Sequence, residues 1–244
     1  MRNCVNIFGL DLGQSNDYSA LVLVEQPIYI YQDEADRLGL GGDSCWRDPS
    51  TLSPSTLRAL SGKAPPTPPA LNVRGIQRWP LGTSYPSIVA DVRQWVLGQL
   101  HAEHTALVID KTGVGRPIFD LFIAAGLKPI GVSITGGDQV KHDGDSVSVP
   151  KRDLIGAVQS VLGARRLKFA SALPLLAALQ AELQAFRVKV NLQTGHDSYA
   201  AWREKDHDDL VLALAIAVWH ALDQEAHPPW SHEQLRVFAT GINS

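Results

Sequence analysis

Cysteine is nearly absent, with only Cys4 and Cys45 in 244 residues. The two show neither metal-ligand spacing nor a disulfide framework. That excludes a disulfide-stapled scaffold and a thiolate metal centre and leaves two reduced thiols as the expectation. Long apolar runs are missing too. No window approaches roughly 18 uncharged apolar residues, so no transmembrane helix and no membrane partner are expected. The opening MRNCVNIFGLDLG has one Arg, no extended apolar stretch and no small-residue cleavage site. It reads as a first strand and not as a signal peptide, and a cytoplasmic location is the expectation. Excess basic charge is lacking, since 22 Lys and Arg face 25 Asp and Glu for a net charge of −3. A module that binds nucleic acid through its whole surface is usually basic, so that class is disfavoured. The Gly62-Lys63 pair is followed by Ala-Pro-Pro, and no GxxxxGK[ST] phosphate loop occurs. No internal repeat is evident.

What is present is a composition with a core, 45% hydrophobic and 19% charged, typical of a globular domain. VNIFGLD (5–11) and YSALVLVE (18–25), joined by Gly-Gln-Ser-Asn-Asp, predict a β-hairpin, with YIYQ at 29–32 as an extension. Residues 33–70 hold ten Gly and Pro residues and predict an insertion with a short helix near 55–60. Strands are predicted at 71–79, 106–110 and 128–134, and helices at 85–101 and 117–125. The second half predicts helices at 151–163, 173–186 and 208–224 and short strands near 187–192 and 197–202. Residues 136–150 read as a polar loop or hairpin. Two antiparallel strands followed by β-α units imply an α/β fold with a mixed central sheet flanked by helices. One domain over 1–226 with a tail at 227–244 is the expected organisation.

Three acidic positions stand at comparable places. Asp11 ends the first strand, Asp110 ends ALVID, and Asp208 and Asp209 open the apolar last helix. Carboxylates at the C-terminal ends of neighbouring strands can converge, because α/β folds build sites there. Clustered Asp residues repel one another unless a cation joins them. Hard oxygen ligands suit Mg²⁺ or Mn²⁺, and two such ions can stabilise the attacking and leaving oxygens of a phosphodiester. Each acid also has a structural reading: Asp208 and Asp209 complement the helix dipole, Asp110 caps the turn before Gly113, and Asp11 opens a turn with Gly13. Between 151 and 189, seven basic residues face two acidic ones. Lys151, Arg152, Arg165, Arg166 and Lys168, with Lys141 in the preceding loop, are therefore either a solvated face or a phosphate-tracking surface. His207, beside the acidic pair, is a candidate auxiliary group.

The segments GLDLGQSNDYSALVLVE (9–25), LVIDKTGVGRPIFDLF (107–122), VPKRDLIGAVQSVL (149–162) and HDDLVLALAIAVW (207–219) resemble the nuclease domain of phage terminase large subunits, within the RNase H-like superfamily. The resemblance implies an RNase H-like fold and metal-dependent endonuclease cutting of double-stranded DNA, with two Mg²⁺ or Mn²⁺ ions. It places metal ligands on Asp11, Asp110 and Asp209, with Asp208 as an adjacent ligand. It also implies a separate packaging ATPase, small terminase or portal protein as partners and a bacterial host cell, for a phage or prophage product. Terminase large subunits carry a packaging ATPase; without a phosphate loop, a lone nuclease domain, a split gene product or a stand-alone relative is expected here. Other classes remain open: a Holliday-junction resolvase or other RNase H-like nuclease, an actin-like ATPase suggested by GLDLGQSND, and a non-catalytic adaptor.

Overall fold

The computed structural model describes residues 4–14, 17–27, 69–99, 105–112, 114–185 and 208–226. The expected elements at 29–32, 55–60, 187–192 and 197–202, the bulk of the insertion, the tail and His207 lie outside the described residues. The strands are β1 (Cys4–Asp11), β2 (Ser19–Pro27), β3 (Leu71–Trp79), β4 (Thr105–Asp110), β5 (Pro129–Thr135), β6 (Lys141–Asp143), β7 (Ser146–Pro150) and β8 (Leu167–Phe169). The helices are α1 (Tyr85–Leu97), α2 (Gly115–Ala124), α3 (Lys151–Gly163), α4 (Leu176–Ala185) and α5 (Asp209–Ala226).

Among the described residues the strands form one sheet in the order β6-β7-β5-β4-β1-β2-β3-β8. β2 is antiparallel to β1 and β3, while β4 is parallel to β1 and β5 is parallel to β4. This is the mixed sheet, an antiparallel hairpin joined to parallel strands, that the sequence predicts. Two elements extend it. The 136–150 segment forms a hairpin whose second strand, β7, pairs parallel with β5. The three residues of β8 pair parallel with the start of β3. A strand that short has no readable periodicity, which is why only its long-range pairing reveals it.

The sheet is buried on both faces. On one face Phe8, Leu10, Leu21, Leu23 and Ile109 pack with Ile88 and Val92 of α1 and Phe122 of α2. On the other, Ile7, Ala20, Val22, Ile76 and Val108 pack with Leu154 and Val158 of α3, Leu179 of α4 and the whole apolar length of α5. The continuous apolar runs of β1 and β2 follow from this double burial. α5 lies between the sheet and α3 and is buried from Asp209 to Ala221, which explains why it is apolar on nearly every face. Its far end is pinned by polar contacts. Gln26 donates to the Ala221 carbonyl and to Glu225, and Glu225 is ion-paired with buried Arg166, which also donates to the Pro69 carbonyl.

α5 also carries a buried imidazole. Burial pushes His220 down from its ordinary 6.5 to about 4, against a smaller raising influence from Asp223. The native state therefore refuses a proton that the unfolded chain accepts below pH 6.5. Stability is fully present above that value and is lost as pH falls towards 4, by about 3 kcal/mol for a gap of this size. Urea midpoints at pH 7 and pH 4.5 check this. His220→Gln is expected to lose markedly less stability over that interval than the parent chain, and equal losses would refute the assignment.

Candidate functional site

The strand register brings Asp11 and Asp110 together. β1 and β4 run parallel with Leu10 paired to Ile109, and the two acids follow one residue later on adjacent strands. Adjacent strands lie about 4.8 Å apart. Side chains alternate along a strand, so Asp11 shares a face with Ile7 and Asp110 with Val108, the face that α5 covers. Both are buried, at 8% and 3% exposure.

The row continues across the sheet. Asp11 pairs with Ala20, and Ala20 pairs with Arg78 of β3. Arg78 reaches the α5 face only because of a bulge: Val24 pairs with Val73 but Leu23 pairs with Gly75, leaving Arg74 as the extra residue. Leu71 and Val73 face α5 before the bulge, and Ile76 and Arg78 face it after.

α5 lies antiparallel to β1. Gln26, which pairs with Val5, bonds the Ala221 carbonyl, and Gly9 sits directly under Ala213 and Ala217. Eight residues of helix and four of strand each span about 12–13 Å, so the two anchor points agree. One further turn towards the N-terminus carries Asp209 over the Asp11 end of the row. The contact with Arg78 supports this placement, with Asp209 Oδ2 3.9 Å from the guanidinium. Asp209 is 4% exposed, and Asp208, just before the helix, is half-buried.

Local sequence explains how the strand-end acids are held. After Asp11 the chain turns so tightly that a Cβ on Gly13 would lie 2.3 Å from the Asp17 carbonyl oxygen. The Gly13 N–H donates to Ser19 Oγ and its carbonyl accepts from the Tyr85 hydroxyl. Asp110 Oδ1 accepts from the Thr112 N–H at 2.8 Å, so the acid does cap its turn. That use does not exhaust a carboxylate, which accepts at several lone-pair sites.

The donor set of this corner is all hard carboxylate oxygen, gathered from β1, β4 and the start of α5, and chemically it suits Mg²⁺ or Mn²⁺. Among the described residues, no three His, Cys, Asp or Glu side chains are drawn together closely enough to grip a metal ion as they stand. The guanidinium of Arg78 meets Asp209 in this arrangement.

No family model and no curated protein matches the chain. Solved structures do. The large terminase nuclease of thermophilic phage G20c aligns over 88% of this chain and 81% of its own, at 17% identity and a TM-score of 0.47. The manganese-soaked terminase nuclease domain of human cytomegalovirus aligns over 92% of this chain and 87% of its own, at 10% identity and a TM-score of 0.48. The chain resembles terminase nuclease domains.

The basic residues fare differently from the acids. Pro150 pairs with Thr135, three residues beyond Val132, the partner of Asp110, so Lys151 and Arg152 follow at the acidic end of the sheet. Lys141, exposed on β6, pairs with Ser148 near the same end. α3 then runs away. β8 pairs with Leu71 and Val73, roughly 23 Å along β3 from Arg78, which takes Arg165, Arg166 and Lys168 to the opposite end. Arg166 is moreover buried against Glu225 and is no surface contact. The single basic stretch of the sequence is thus split in space, because a 13-residue helix separates its halves.

Two residues near the acids carried no signal strong enough to be singled out beforehand. Arg78 lies in a strand whose face depends on the bulge. Glu182 is the lone charged residue of α4, LAALQAELQA, and that isolation is the clue the sequence offered. Glu182 is ion-paired with Arg78, and its Oε2 accepts from the N–H groups of Leu210 and Val211 at 3.1 and 3.3 Å. The Tyr18 ring lies under the Arg78 guanidinium at 5.2 Å.

Proposed function

We propose that the chain is a divalent-metal-dependent endonuclease of double-stranded DNA, with Asp11, Asp110, Asp208 and Asp209 as the metal-binding carboxylates. The observation that carries this reading is the placement of Asp11 and Asp110 side by side on the face that α5 covers, with the first turn of α5 bringing Asp209 over them. Asp11, Asp110 and Asp209 are buried acids at one end of the sheet, and like charges gathered at such an end favour a cation between them. Bound there, Mg²⁺ or Mn²⁺ would supply an acidified water and neutralise charge on a phosphate. The residues' own task is to present oxygen atoms from rigid strand ends and a pinned helix, which keeps the geometry set before substrate arrives.

The direct test is cleavage of supercoiled plasmid with Mg²⁺ or Mn²⁺, with EDTA as control. Cleavage that persists in EDTA, or none with either metal, would remove the reading. A separate packaging ATPase, small terminase or portal protein is the partner set this function implies, with the bacterial cytoplasm as its setting.

The split of basic charge sharpens the expected DNA path. Lys141, Lys151 and Arg152 stand at the acidic end, with Arg152 held by Asp138. Arg165 and Lys168 stand at the other. Charge reversal at Lys151 and Arg152 is expected to weaken duplex binding and to lower the salt slope by about one per lost phosphate contact. Reversal at Arg165 and Lys168 is expected to leave both unchanged. Fluorescence anisotropy across a salt series measures this, and equal losses at the two ends would place DNA along the whole of α3.

A further inference from the structure

The acidic corner contains an ion pair that belongs to none of the four metal-binding positions. Arg78 extends from β3 on the row that holds Asp11, with Ala20 between them. Its guanidinium is ion-paired with Glu182, lies 3.9 Å from Asp209 and rests on the Tyr18 ring. Arg78 and Glu182 are 17% and 10% exposed in their side chains, so the pair is largely withdrawn from water. Glu182 does not end at Arg78. Its second oxygen accepts from Leu210 and Val211, two of the first-turn N–H groups of α5 that have no acceptor within the helix. A carboxylate there also meets the positive end of the helix dipole. Because it is supplied by α4 and anchored on β3, it ties these two elements to the turn that carries Asp209.

From this geometry we propose that Arg78 and Glu182 are a positioning pair, which sets the first turn of α5 and with it the Asp209 carboxylate against the Asp11–Asp110 row. Arg78 acts on Asp209 twice: directly across 3.9 Å, and through Glu182 on the backbone of the next two residues. Both contacts are made by one terminal nitrogen, Nη2, which the planar fork of arginine holds in a fixed direction. A lysine keeps the charge but loses the fork. The inference rests on the proposed metal site for its second readout only.

The test uses the full chain and two measurements. The first, without metal, is amide hydrogen exchange. Glu182→Gln keeps the shape and one acceptor but removes the charge that faces both Arg78 and the helix start. Exchange at Leu210 and Val211 is expected to quicken about tenfold, with Ala217 unchanged, since a bond to a charged acceptor is replaced by a neutral one. Arg78→Gln is expected to do the same, and Arg78→Lys to fall between it and the parent chain. Unchanged exchange in Glu182→Gln and Arg78→Gln would overturn the proposal. A general loosening that includes Ala217 would overturn it equally, by showing a merely structural role. The second measurement is calorimetric titration with Mn²⁺ alone. Glu182→Gln is expected to weaken binding several-fold in the parent chain and to add nothing in an Asp209→Asn background. The same loss in both backgrounds would show that the pair does not act through Asp209, and would overturn it. If Asp209→Asn itself leaves Mn²⁺ binding untouched, the metal reading of the corner fails, and the exchange result alone decides the positioning pair.

Discussion

Asp11→Asn and Asp110→Asn are each expected to reduce metal-dependent DNA cleavage on the order of a thousandfold while the fold survives. Each substitution keeps the side chain's size and removes one anionic oxygen donor from a buried corner. Metal-assisted phosphodiester cleavage depends on several kcal/mol of charge stabilisation at that point, and each 1.36 kcal/mol is a factor of ten. Stability should move little or rise, because the mutual repulsion of buried carboxylates is relieved in the metal-free chain. For Asp110 the turn is preserved as well, since an Asn oxygen can still accept from the Thr112 N–H. Asp209→Asn should approach these losses, and Asp208→Asn should be milder, as Asp208 is less buried and precedes the helix. Plasmid cleavage with Mg²⁺ or Mn²⁺ and thermal melts of each variant measure the two sides. Full activity in Asp11→Asn or Asp110→Asn would exclude the mechanism, and a collapsed melt would reassign the acids to folding.

Gly9→Ala is expected to cost about 3 kcal/mol or more, a large effect for one methyl group. A Cβ at Gly9 would lie 2.0 Å from the Ala213 carbonyl oxygen and 3.0 Å from the Ala217 nitrogen. Both are backbone atoms of a buried helix, so no side chain can swing aside. The conflict is resolved only by lifting α5 from β1, at the upper end of what overpacking costs. That movement would also displace Asp209 from the acidic row, so cleavage should fall further than the lost stability explains. Gly156→Ala is the matched control. It lies in α3 on an exposed surface where a Cβ meets nothing, and it should stabilise by about 0.5–1 kcal/mol through reduced chain entropy. Urea denaturation of both variants decides the point. A Gly9→Ala chain as stable as its parent would mean that α5 does not rest on β1 as closely as described.

The sequence by itself determined the kind and order of the main elements. Runs such as VNIFGLD and ALVID are strands because both faces are buried, and DDLVLALAIAVWHA is a central helix because packing surrounds it. Acids at the ends of those runs could therefore be set at the ends of β1, β4 and α5 from local pattern alone. Only the tertiary structure decided which side chains share a corner. Arg78 faces Asp209 because one bulged residue inverts the alternation of β3. Glu182 belongs there because α4 packs across the start of α5, 28 residues away in sequence. The basic residues of 151–168, contiguous in sequence, part to opposite ends of the sheet because the helix between them spans its length. Periodicity reports which face of a segment meets the core, a local property of a chain in water. Register, bulges and helix docking are settled by contacts between distant segments, and no local pattern encodes them.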